Sequence, residues 1–423
     1  MSNKLYVYYE QVLVGTLWQN ADVTLGFSYE KSWLINRKAF PLSPLLPIND
    51  DAAFDNRSTR AFFENLLPEG KIRERLGKLL GVSLTDSYIF LAKYGQDCAG
   101  AFVITPDPDI SKHIVDDDYE KVDIAKLAKA HKGNQNLMIH AMENYYGRFS
   151  LAGAQDKLPI VLLDGHIYVP TRGAATTHIL KPPSLDRQVK DSVFNEYFCM
   201  KLAKSCGLPV PLVQILPGEV PFYVIERYDR TSSKSKIVRL HQFDFCQAQN
   251  FLYDEKYEED GGPSLKSNFL CLKDNSSSVI DDSRLFMLWI CFNLLIGNND
   301  CHSKNLAFLF RQGITRLAPF YDLLCTAIYD QYSNDFAFTM GGNSSWGKWE
   351  RRHFLLELDA WGLTKENEML LNVMRKLIIE IKPILDQEIA DFNTIFPKNK
   401  TAGRINEEIK KRVRSFEKRF AKS

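Results

Sequence analysis

The order of elements predicted along this 423-residue chain indicates an α+β fold of two lobes, a strand-rich lobe followed by a mostly helical one. Short apolar runs rich in β-branched and aromatic residues predict the strands of the first lobe. These strands are Leu158–Leu163, Ile167–Val169, Thr177–Lys181, Val210–Leu216 and Phe222–Arg227. One helix interrupts them, from about Ser192 to Cys206. The spacing downstream is helical, apart from a hairpin formed by Leu306–Phe310 and Thr315–Phe320.

The chain upstream of these strands predicts a separate α+β subdomain and a connector. Lys4–Leu17 alternates like a β-hairpin, and Leu25–Tyr29 predicts a further strand. Helical spacing follows in three segments, Thr59–Leu67, Gly70–Leu80 and Asp86–Tyr94. Residues 106–145 are polar and helix-prone. We therefore expect a subdomain at 1–105, a helical connector at 106–145, the strand-rich lobe at 146–230 and the helical lobe at 231–423.

Composition indicates a globular protein of a reducing compartment. Hydrophobic residues make up 45% and charged residues 25% of the chain, and the net charge of +1 gives no whole-chain reason to expect nucleic acid as a partner. Eight cysteines occur without a C-x-x-C pair, which favours reduced thiols over a disulfide framework. The longest apolar run, Leu285–Ile296, is about half of a membrane span. We expect a cytoplasmic protein that does not bind a membrane.

Two aspartates and an asparagine form the strongest candidate site. Asp300 follows the apolar run in a loop opened by Gly297, and Asn305 comes five residues later, before the predicted hairpin. Asp322 follows that hairpin. In phosphoryl transfer a carboxylate orients the attacking hydroxyl, while an amide oxygen and a second carboxylate hold Mg²⁺. The D-x-x-x-x-N spacing and the later aspartate therefore predict a phosphotransferase site, although the spacing alone also occurs in polar loops.

Residues upstream supply the remaining parts that phosphoryl transfer needs. Lys181 ends a strand, as a lysine that contacts ATP phosphates does, and Glu196 in the next helix is its candidate ion-pair partner. Phe222–Tyr228 has the form of a hinge, a buried strand that leads into a polar segment. Ser150–Lys157 contains one glycine flanked by alanines, which suits a phosphate loop but also a plain hairpin. Their order along the chain predicts a protein-kinase-like fold, with 146–230 as the nucleotide-binding lobe.

In these motifs the chain resembles the HipA family of bacterial type II toxin–antitoxin serine/threonine kinases. The resemblance covers nearly the whole chain. Its motifs are Pro41–Pro47, Phe62–Glu69, Phe149–Lys157, Thr177–Lys181, Asn195-Glu196, Val224–Arg230, Arg239–Gln242, Asp260–Pro263, Gly297–Asn305 and Pro319–Asp322.

The resemblance implies a role for each of these motifs. Asp300 would be the catalytic base, Asn305 and Asp322 would hold Mg²⁺, and Glu196 would support Lys181. The residues implied to bind ATP are Leu151, Ala152, Gly153, Ala154, Gln155, Asp156, Lys157, Lys181, Glu226, Tyr228, Gln242 and His302. His302 next to Cys301 also raises the alternative of zinc, but no second Cys/His pair lies at zinc spacing, which favours a loop-ordering role.

Ser150 matches the position that is autophosphorylated in the family. A phosphate there adds about −1.5 to −2 charges, which the ATP phosphates would repel, so that the loop would leave the site. The chain departs from the family at two places, and neither departure removes a catalytic group. Gln242-Phe-Asp244 stands where members usually have Gln-Glu-Asp, and Asp156 and Leu158 stand where many have Glu and Thr.

The resemblance also implies partners: a HipB-like helix-turn-helix antitoxin, operator DNA through that antitoxin, and a protein substrate from translation such as an aminoacyl-tRNA synthetase. Two other functions stay open, a small-molecule phosphotransferase of the aminoglycoside or choline kinase type and a non-catalytic DNA-associated co-repressor. Residues 395–423 hold ten Lys/Arg and three Glu, which suits either DNA contact or a solvated basic face. An amphipathic helix is predicted there by Ile405, Ile409, Val413, Phe416 and Phe420.

Overall fold

The computed structural model of the chain describes residues 4–48, 53–112, 118–145, 152–153, 155–171, 173–233, 236–363 and 366–420. Ser150, Leu151 and Ala154 of the predicted phosphate loop lie outside these ranges. The described residues form an N-terminal sheet, a central six-stranded sheet, two smaller sheets and a helical lobe.

The N-terminal sheet is antiparallel, with the strand order β3-β2-β1-β4. Its strands are β1 (Lys4–Tyr9), β2 (Val12–Gln19), β3 (Leu25–Tyr29) and β4 (Phe102–Thr105). The helices between β3 and β4 are α1 (Lys31–Leu34), α2 (Asn56–Phe63), α3 (Gly70–Leu80) and α4 (Ser87–Tyr94). Phe62 and Phe63 of α2 are buried in the same cluster as Phe27 of β3. The predicted hairpin and third strand are confirmed, because their apolar residues alternate towards one core.

The central sheet has the order β5-β7-β6-β8-β10-β9. Its strands are β5 (Tyr119–Val122), β6 (Leu158–Leu163), β7 (His166–Pro170), β8 (His178–Lys181), β9 (Val213–Leu216) and β10 (Phe222–Glu226). The helices of this region are α5 (Ile124–Lys132), α6 (Leu137–Tyr145) and α7 (Ser192–Ser205). Leu158, Leu180 and Val224 are buried where β6, β8 and β10 lie side by side. The strands predicted between 158 and 227 are confirmed.

The expected helical connector at 106–145 is only partly helical. It contains α5 and α6, but β5 lies ahead of them and pairs with β7 from Tyr119 opposite Pro170 to Val122 opposite Ile167. β5 holds the consecutive charged residues Glu120 and Lys121 and buries only Val122, so its sequence is typical of a solvated segment. Its strand conformation depends on a partner more than forty residues downstream.

Two small sheets follow the central one. Strands β11 (Arg230–Ser233) and β12 (Lys236–Arg239) form a ribbon, and β13 (His241–Asp244) joins the predicted hairpin of β14 (Ala307–Arg311) and β15 (Ile314–Leu317). The third strand, β13, was not predicted, because its pairing with β14 brings together residues more than sixty positions apart. This pairing sets Gln242 and Asp244 beside the segment that carries Asn305.

The helical lobe surrounds one apolar helix. Its helices are α8 (Phe245–Ala248), α9 (Leu265–Asn275), α10 (Val279–Ile296), α11 (Arg351–Ala360), α12 (Asn367–Ile395) and α13 (Thr401–Phe420). α10 is buried on nearly all sides, which explains why its sequence shows no polar face. It packs against α9, α12 and α13. The predicted catalytic loop therefore starts from a buried, well-packed helix.

The basic C-terminal segment forms α13 and lies on the lobe by its apolar face. Ile405, Ile409, Val413 and Phe416 are buried, which confirms the predicted amphipathic helix. Arg412 is also buried and donates to the Leu294 carbonyl oxygen at 3.0 Å. All eight cysteines are free thiols, as predicted. Among the described residues, no helix is both long and apolar enough to cross a bilayer.

Candidate active site

The predicted catalytic loop begins where α10 ends. Gly297 has φ +74°, and a Cβ there would lie 2.8 Å from the Ala327 Cβ, so the turn requires glycine. Asn298 is fully buried, and its side-chain Nδ2 donates to Asn293 Oδ1 at 2.7 Å and to the Asp322 carbonyl oxygen at 3.2 Å. The loop is thus fastened both to its helix and to the segment that carries Asp322.

Asp322 lies at the centre of the site. Its φ of +53° is unusual for a residue with a side chain, and such backbone strain is often found at functional positions. Asp322 Oδ1 lies 2.5 Å from Lys181 Nζ, and the side-chain Nδ2 of Asn305 lies 3.4 Å from Asp322 Oδ2. The two predicted Mg²⁺ ligands are therefore neighbours, and the predicted phosphate lysine contacts one of them.

Lys181 ends β8 and is held from two sides. Its ammonium group lies 2.8 Å from Glu196 Oε1 of α7 as well as against Asp322. Burial disfavours the charge of Lys181, but Asp322 and Glu196 outweigh burial and raise its pKa. Burial would likewise raise the pKa of Asp322, but the ammonium groups of Lys181 and Lys157 lower it to about 2. Asp322 is therefore ionised near neutral pH and suited to bind a cation.

Asp300 and Asn305 are oriented by the catalytic loop itself. The Asp300 amide donates to Asn298 Oδ1 at 3.2 Å, and Asn305 Oδ1 accepts from the His302 amide at 3.0 Å. The Asp300 carboxylate accepts a hydrogen bond from the Tyr257 hydroxyl at 2.5 Å. Burial raises the pKa of Asp300 above its usual value. A partly desolvated carboxylate of this kind is a suitable proton acceptor.

His302 has an ordering position in the loop. Its ring stands edge-on to Tyr257, with the ring centroids 5.0 Å apart. Burial and the nearby Lys256 lower the pKa of His302 to about 3, so the ring is neutral. Within the described part of the chain, no cluster of three His, Cys, Asp or Glu residues forms a metal site.

The described part of the predicted phosphate loop contacts Glu69, the residue that precedes α3 in the N-terminal subdomain. The Gly153 carbonyl oxygen accepts from the Glu69 amide at 3.1 Å, and Lys157 Nζ donates to the Ala152 carbonyl oxygen. Gly153 has φ +107°, and a Cβ there would lie 2.8 Å from Lys157 Nζ. Burial lowers the pKa of Lys157 to about 8, although Asp322 favours its charge. The charge of Asp322 therefore acts on Lys157 as well as on Lys181.

Two loop residues are not brought to the centre of the site. Asp156 caps α6 instead, with both carboxylate oxygens near the Leu137 amide at 3.1 and 2.9 Å. Burial raises its pKa to about 6. Gln155 is exposed. The role of both residues in nucleotide binding stays a prediction.

The predicted hinge lies at the end of β10. Glu226 is exposed and opposite His178 of β8, and its amide donates to the Leu212 carbonyl oxygen at 2.9 Å. The Tyr228 hydroxyl donates to Gln242 Oε1, and the Tyr228 ring stacks on Tyr321 with centroids 5.8 Å apart. Tyr228 and Gln242 are therefore adjacent, as a shared nucleotide site requires.

Comparisons with known proteins identify the same family as the sequence motifs do. The HipA N-terminal domain family matches residues 5–105, and the HipA-like C-terminal domain family matches residues 149–382. The putative kinase Y4mE of Sinorhizobium fredii is 35% identical over 385 residues, which cover 89% of each chain. This chain belongs to the HipA family. The resemblance inferred from the motifs is confirmed.

Other relatives support the family and the fold. The serine/threonine-protein kinase toxin HipA of Shewanella oneidensis is 27% identical over 420 residues, which cover 92% of each chain. HipA in the solved complex of Shewanella oneidensis MR-1 HipA, HipB and operator DNA has a TM-score of 0.83 and 24% identity, and covers 98% of this chain. The predicted two-lobed, kinase-like α+β fold is confirmed.

The sequence did not reveal a buried ion network behind the hinge of this HipA-family chain. Asp97 accepts from Arg227 at 3.1 Å and from Arg230 at 2.8 Å, and Arg239 lies 3.3 Å away. Asp229 pairs with Arg227 at 2.9 Å. Arg227, Asp229 and Arg230 belong to a quoted motif, but Asp97 lies about 130 residues away, and no local pattern links it to them.

Proposed function

We propose that this chain is a serine/threonine protein kinase that transfers the γ-phosphoryl group of ATP to a protein hydroxyl and acts as a HipA-like toxin. The supporting observation is the constellation of Lys181 on Glu196 and Asp322, with Asn305 beside Asp322 and Asp300 in the same loop. The family and the kinase names of its relatives agree with this chemistry.

The transfer step follows from these positions. The acceptor oxygen forms a bond to the γ-phosphorus while the bond from that phosphorus to the β,γ-bridging oxygen breaks. The electron pair of the broken bond leaves with ADP, and the acceptor proton passes to Asp300. Lys181 contacts Asp322, and the charge of Asp322 also acts on Lys157, so both ammonium groups would offset the negative charge of the phosphates.

The residues beside Lys181 fit Mg²⁺. Asp322 offers a carboxylate, and Asn305 would offer its Oδ1, which here accepts from the His302 amide while the side-chain nitrogen faces Asp322. Mg²⁺ takes few protein ligands because it retains several waters. When bound, the ion neutralises charge that develops on the phosphate oxygens. Adenine would lie by the hinge, against Glu226, Tyr228 and Gln242, with Gly153 and Lys157 on the phosphates.

Labelled ATP tests the proposal against its nearest rival. Purified wild type incubated with γ-labelled ATP and a lysate should label proteins at serine or threonine. The Asp300→Asn variant should label them roughly 10²–10⁴-fold more slowly, because the near-isosteric amide accepts no proton. Label found only on small alcohols would instead support a small-molecule phosphotransferase, and phosphoproteomics of cells that express each protein would identify the substrate. An aminoacyl-tRNA synthetase is the substrate class we propose.

Self-inactivation at Ser150 is part of the proposal. Ser150 precedes Gly153 and Lys157 by only a few residues, so a phosphate on it would carry its charge into the region of the ATP phosphates. Mass spectrometry after incubation with ATP should find phosphoserine at Ser150, with activity falling as the modification accumulates. An active enzyme with unmodified Ser150 would argue against this switch.

A helix-turn-helix antitoxin and operator DNA are the proposed partners. The Shewanella protein was solved in complex with HipB and its operator, and this chain has the same fold. Its exposed basic residues on α13 offer phosphate contacts. Co-expression with such an antitoxin should suppress growth inhibition, and operator binding by the pair should weaken steeply with salt. Growth inhibition that persists in Asp300→Asn would favour a non-catalytic role.

A further inference from the structure

The proposed base has a hydrogen-bond partner that no sequence motif assigned to the site. The Tyr257 hydroxyl donates to Asp300 Oδ1 at 2.5 Å, and the Tyr257 ring is held edge-on against His302. Among the described residues, no hydrogen-bond donor reaches Asp300 Oδ2. One oxygen of the carboxylate is therefore fixed, and the other is left for a hydroxyl from outside.

Tyr257 belongs to a short strap, the segment Glu255–Glu258, in which four successive side chains contact four different places. Glu255 pairs with Arg57 of α2. Lys256 Nζ lies 2.8 Å from Glu69 Oε2, and its ammonium lies 5.5 Å from the centre of the Tyr257 ring. Glu258 accepts from the Thr339 amide at 2.8 Å and from its hydroxyl at 2.7 Å. A shift of the strap would break contacts with both the N-terminal subdomain and the helical lobe.

The residue that anchors Lys256 also contacts both functional loops. Glu69 is 4% exposed, and its amide donates to the Gly153 carbonyl oxygen at 3.1 Å. Its carboxylate lies 3.7 Å from Lys304 Nζ, within the catalytic loop. Glu69, a residue of the N-terminal subdomain, therefore connects the phosphate loop, the catalytic loop and the strap.

We propose that Tyr257 is a positioning residue that holds the Asp300 carboxylate in the orientation for proton acceptance, and that the N-terminal subdomain fixes Tyr257 through the Lys256–Glu69 pair. This inference rests on the proposed kinase function. A terminal carboxylate rotates over a broad range, so one hydrogen bond on Oδ1 sets where Oδ2 points. Supporting contacts of this kind decide whether reacting groups meet in the correct geometry.

The first test replaces Tyr257 by Phe, which retains the ring against His302 and Lys256 and removes only the hydroxyl. We expect kcat for protein phosphorylation to fall roughly 10- to 100-fold, as for a misplaced reacting group. The KM for ATP should stay within about twofold, because the lost contact does not touch nucleotide. Tyr8→Phe is the matched control. It removes a phenol that donates to the Pro108 carbonyl oxygen at 2.5 Å in a separate small apolar cluster, and should leave kcat unchanged.

The second test addresses the strap. Lys256→Met removes the ammonium that Glu69 holds while keeping most of the side-chain length, and kcat should fall, whereas Lys256→Arg should retain most of it. In the double variant with Tyr257→Phe the two losses should be less than additive, because both act on Asp300. Additive losses would overturn the role of the strap.

The outcomes separate this inference from the proposed function. An active wild type with kcat unchanged in Tyr257→Phe would overturn the inference alone. A raised kcat would overturn it as well, because Tyr257 would then occupy the place of the acceptor hydroxyl. A wild type that transfers no phosphate, equal to Asp300→Asn, would overturn the proposed function and the positioning role with it.

Discussion

Asn in place of Asp97 would remove the central anion of the ion network behind the hinge. Asp97 is 1% exposed and accepts from Arg227, Arg230 and Arg239, and from the Thr176 hydroxyl at 2.6 Å. Burial would raise the pKa of Asp97, but the three guanidinium groups outweigh burial and lower it well below its usual range. The network holds three guanidinium groups and two carboxylates, so Asp97→Asn leaves the buried Arg227 and Arg230 and the partly buried Arg239 with Asp229 alone.

The expected cost follows from the burial of these groups. Breaking a buried ion pair by removing one partner typically costs about 3–5 kcal/mol, and a domain has only about 5–15 kcal/mol of stability. Denaturant titration followed by circular dichroism should therefore show a large fall in the midpoint for Asp97→Asn. Because Arg227 follows the hinge strand directly, the KM for ATP should rise as well.

The pH dependence of the stability provides a second test of the role of Asp97. A carboxyl whose folded pKa is depressed contributes stability that is present above its unfolded pKa and is lost as the pH falls towards the folded value. The wild type should therefore lose stability below about pH 4, and Asp97→Asn should lose less over the same range. Glu255→Gln is the control, since the Glu255–Arg57 pair is exposed and worth at most about 1 kcal/mol. A midpoint of Asp97→Asn equal to that of this control would refute the reasoning.

Three further predictions concern the site. Glu196→Gln removes the buried anion beside Lys181 and should lower kcat/KM for ATP roughly tenfold, about 1.4 kcal/mol. The control Glu219→Gln, at an exposed ion pair, should leave kcat/KM unchanged. Equal kcat/KM values for the two variants would contradict the role of Glu196. Gly153→Ala forces a Cβ against Lys157 at positive φ, at about 1–3 kcal/mol, and should raise the KM for ATP. Gly165 also has a positive φ, +74°, with open space around it, so Gly165→Ala should not change that KM. In the folded chain Asp156 retains its proton up to about pH 6, whereas in the unfolded chain it loses the proton near its ordinary pKa of 3.8. The melting temperature of the wild type should therefore fall between pH 4 and pH 6, and that of Asp156→Asn should stay level. Parallel curves for the two proteins would refute this.

Local patterns predicted the parts of the site that lie close together in sequence. Asp300 and Asn305 are five residues apart in one loop, and Asp322 follows one hairpin later, so their spacing carries the chemistry. Lys181 is predictable because it ends an apolar strand. The strands from 158 to 227 were found for the same reason, since each is a short run of β-branched and aromatic residues.

The missed features depend on contacts between distant segments. The strands β5 and β13 are polar or short, and each gains its conformation from a partner far along the chain. Asp97 and Tyr257 lie in segments without motif chemistry of their own, and Glu69 ends a quoted motif whose spacing does not reveal its contacts with Lys256 and Lys304. Asp156 lies within a recognised loop, yet its side chain caps α6, because the Leu137 amide lies within hydrogen-bond reach.

ADP formation by wild type and Asp300→Asn, with MgATP affinity measured by calorimetry for both, tests the central claim most directly. The two MgATP affinities should be equal, since Asp300 does not hold the nucleotide. The rate of the variant should be lower by roughly 10²–10⁴-fold, because the proton acceptor is lost. An Asp300→Asn protein that forms ADP and phosphorylated protein at the wild-type rate would contradict the role of Asp300 as the base.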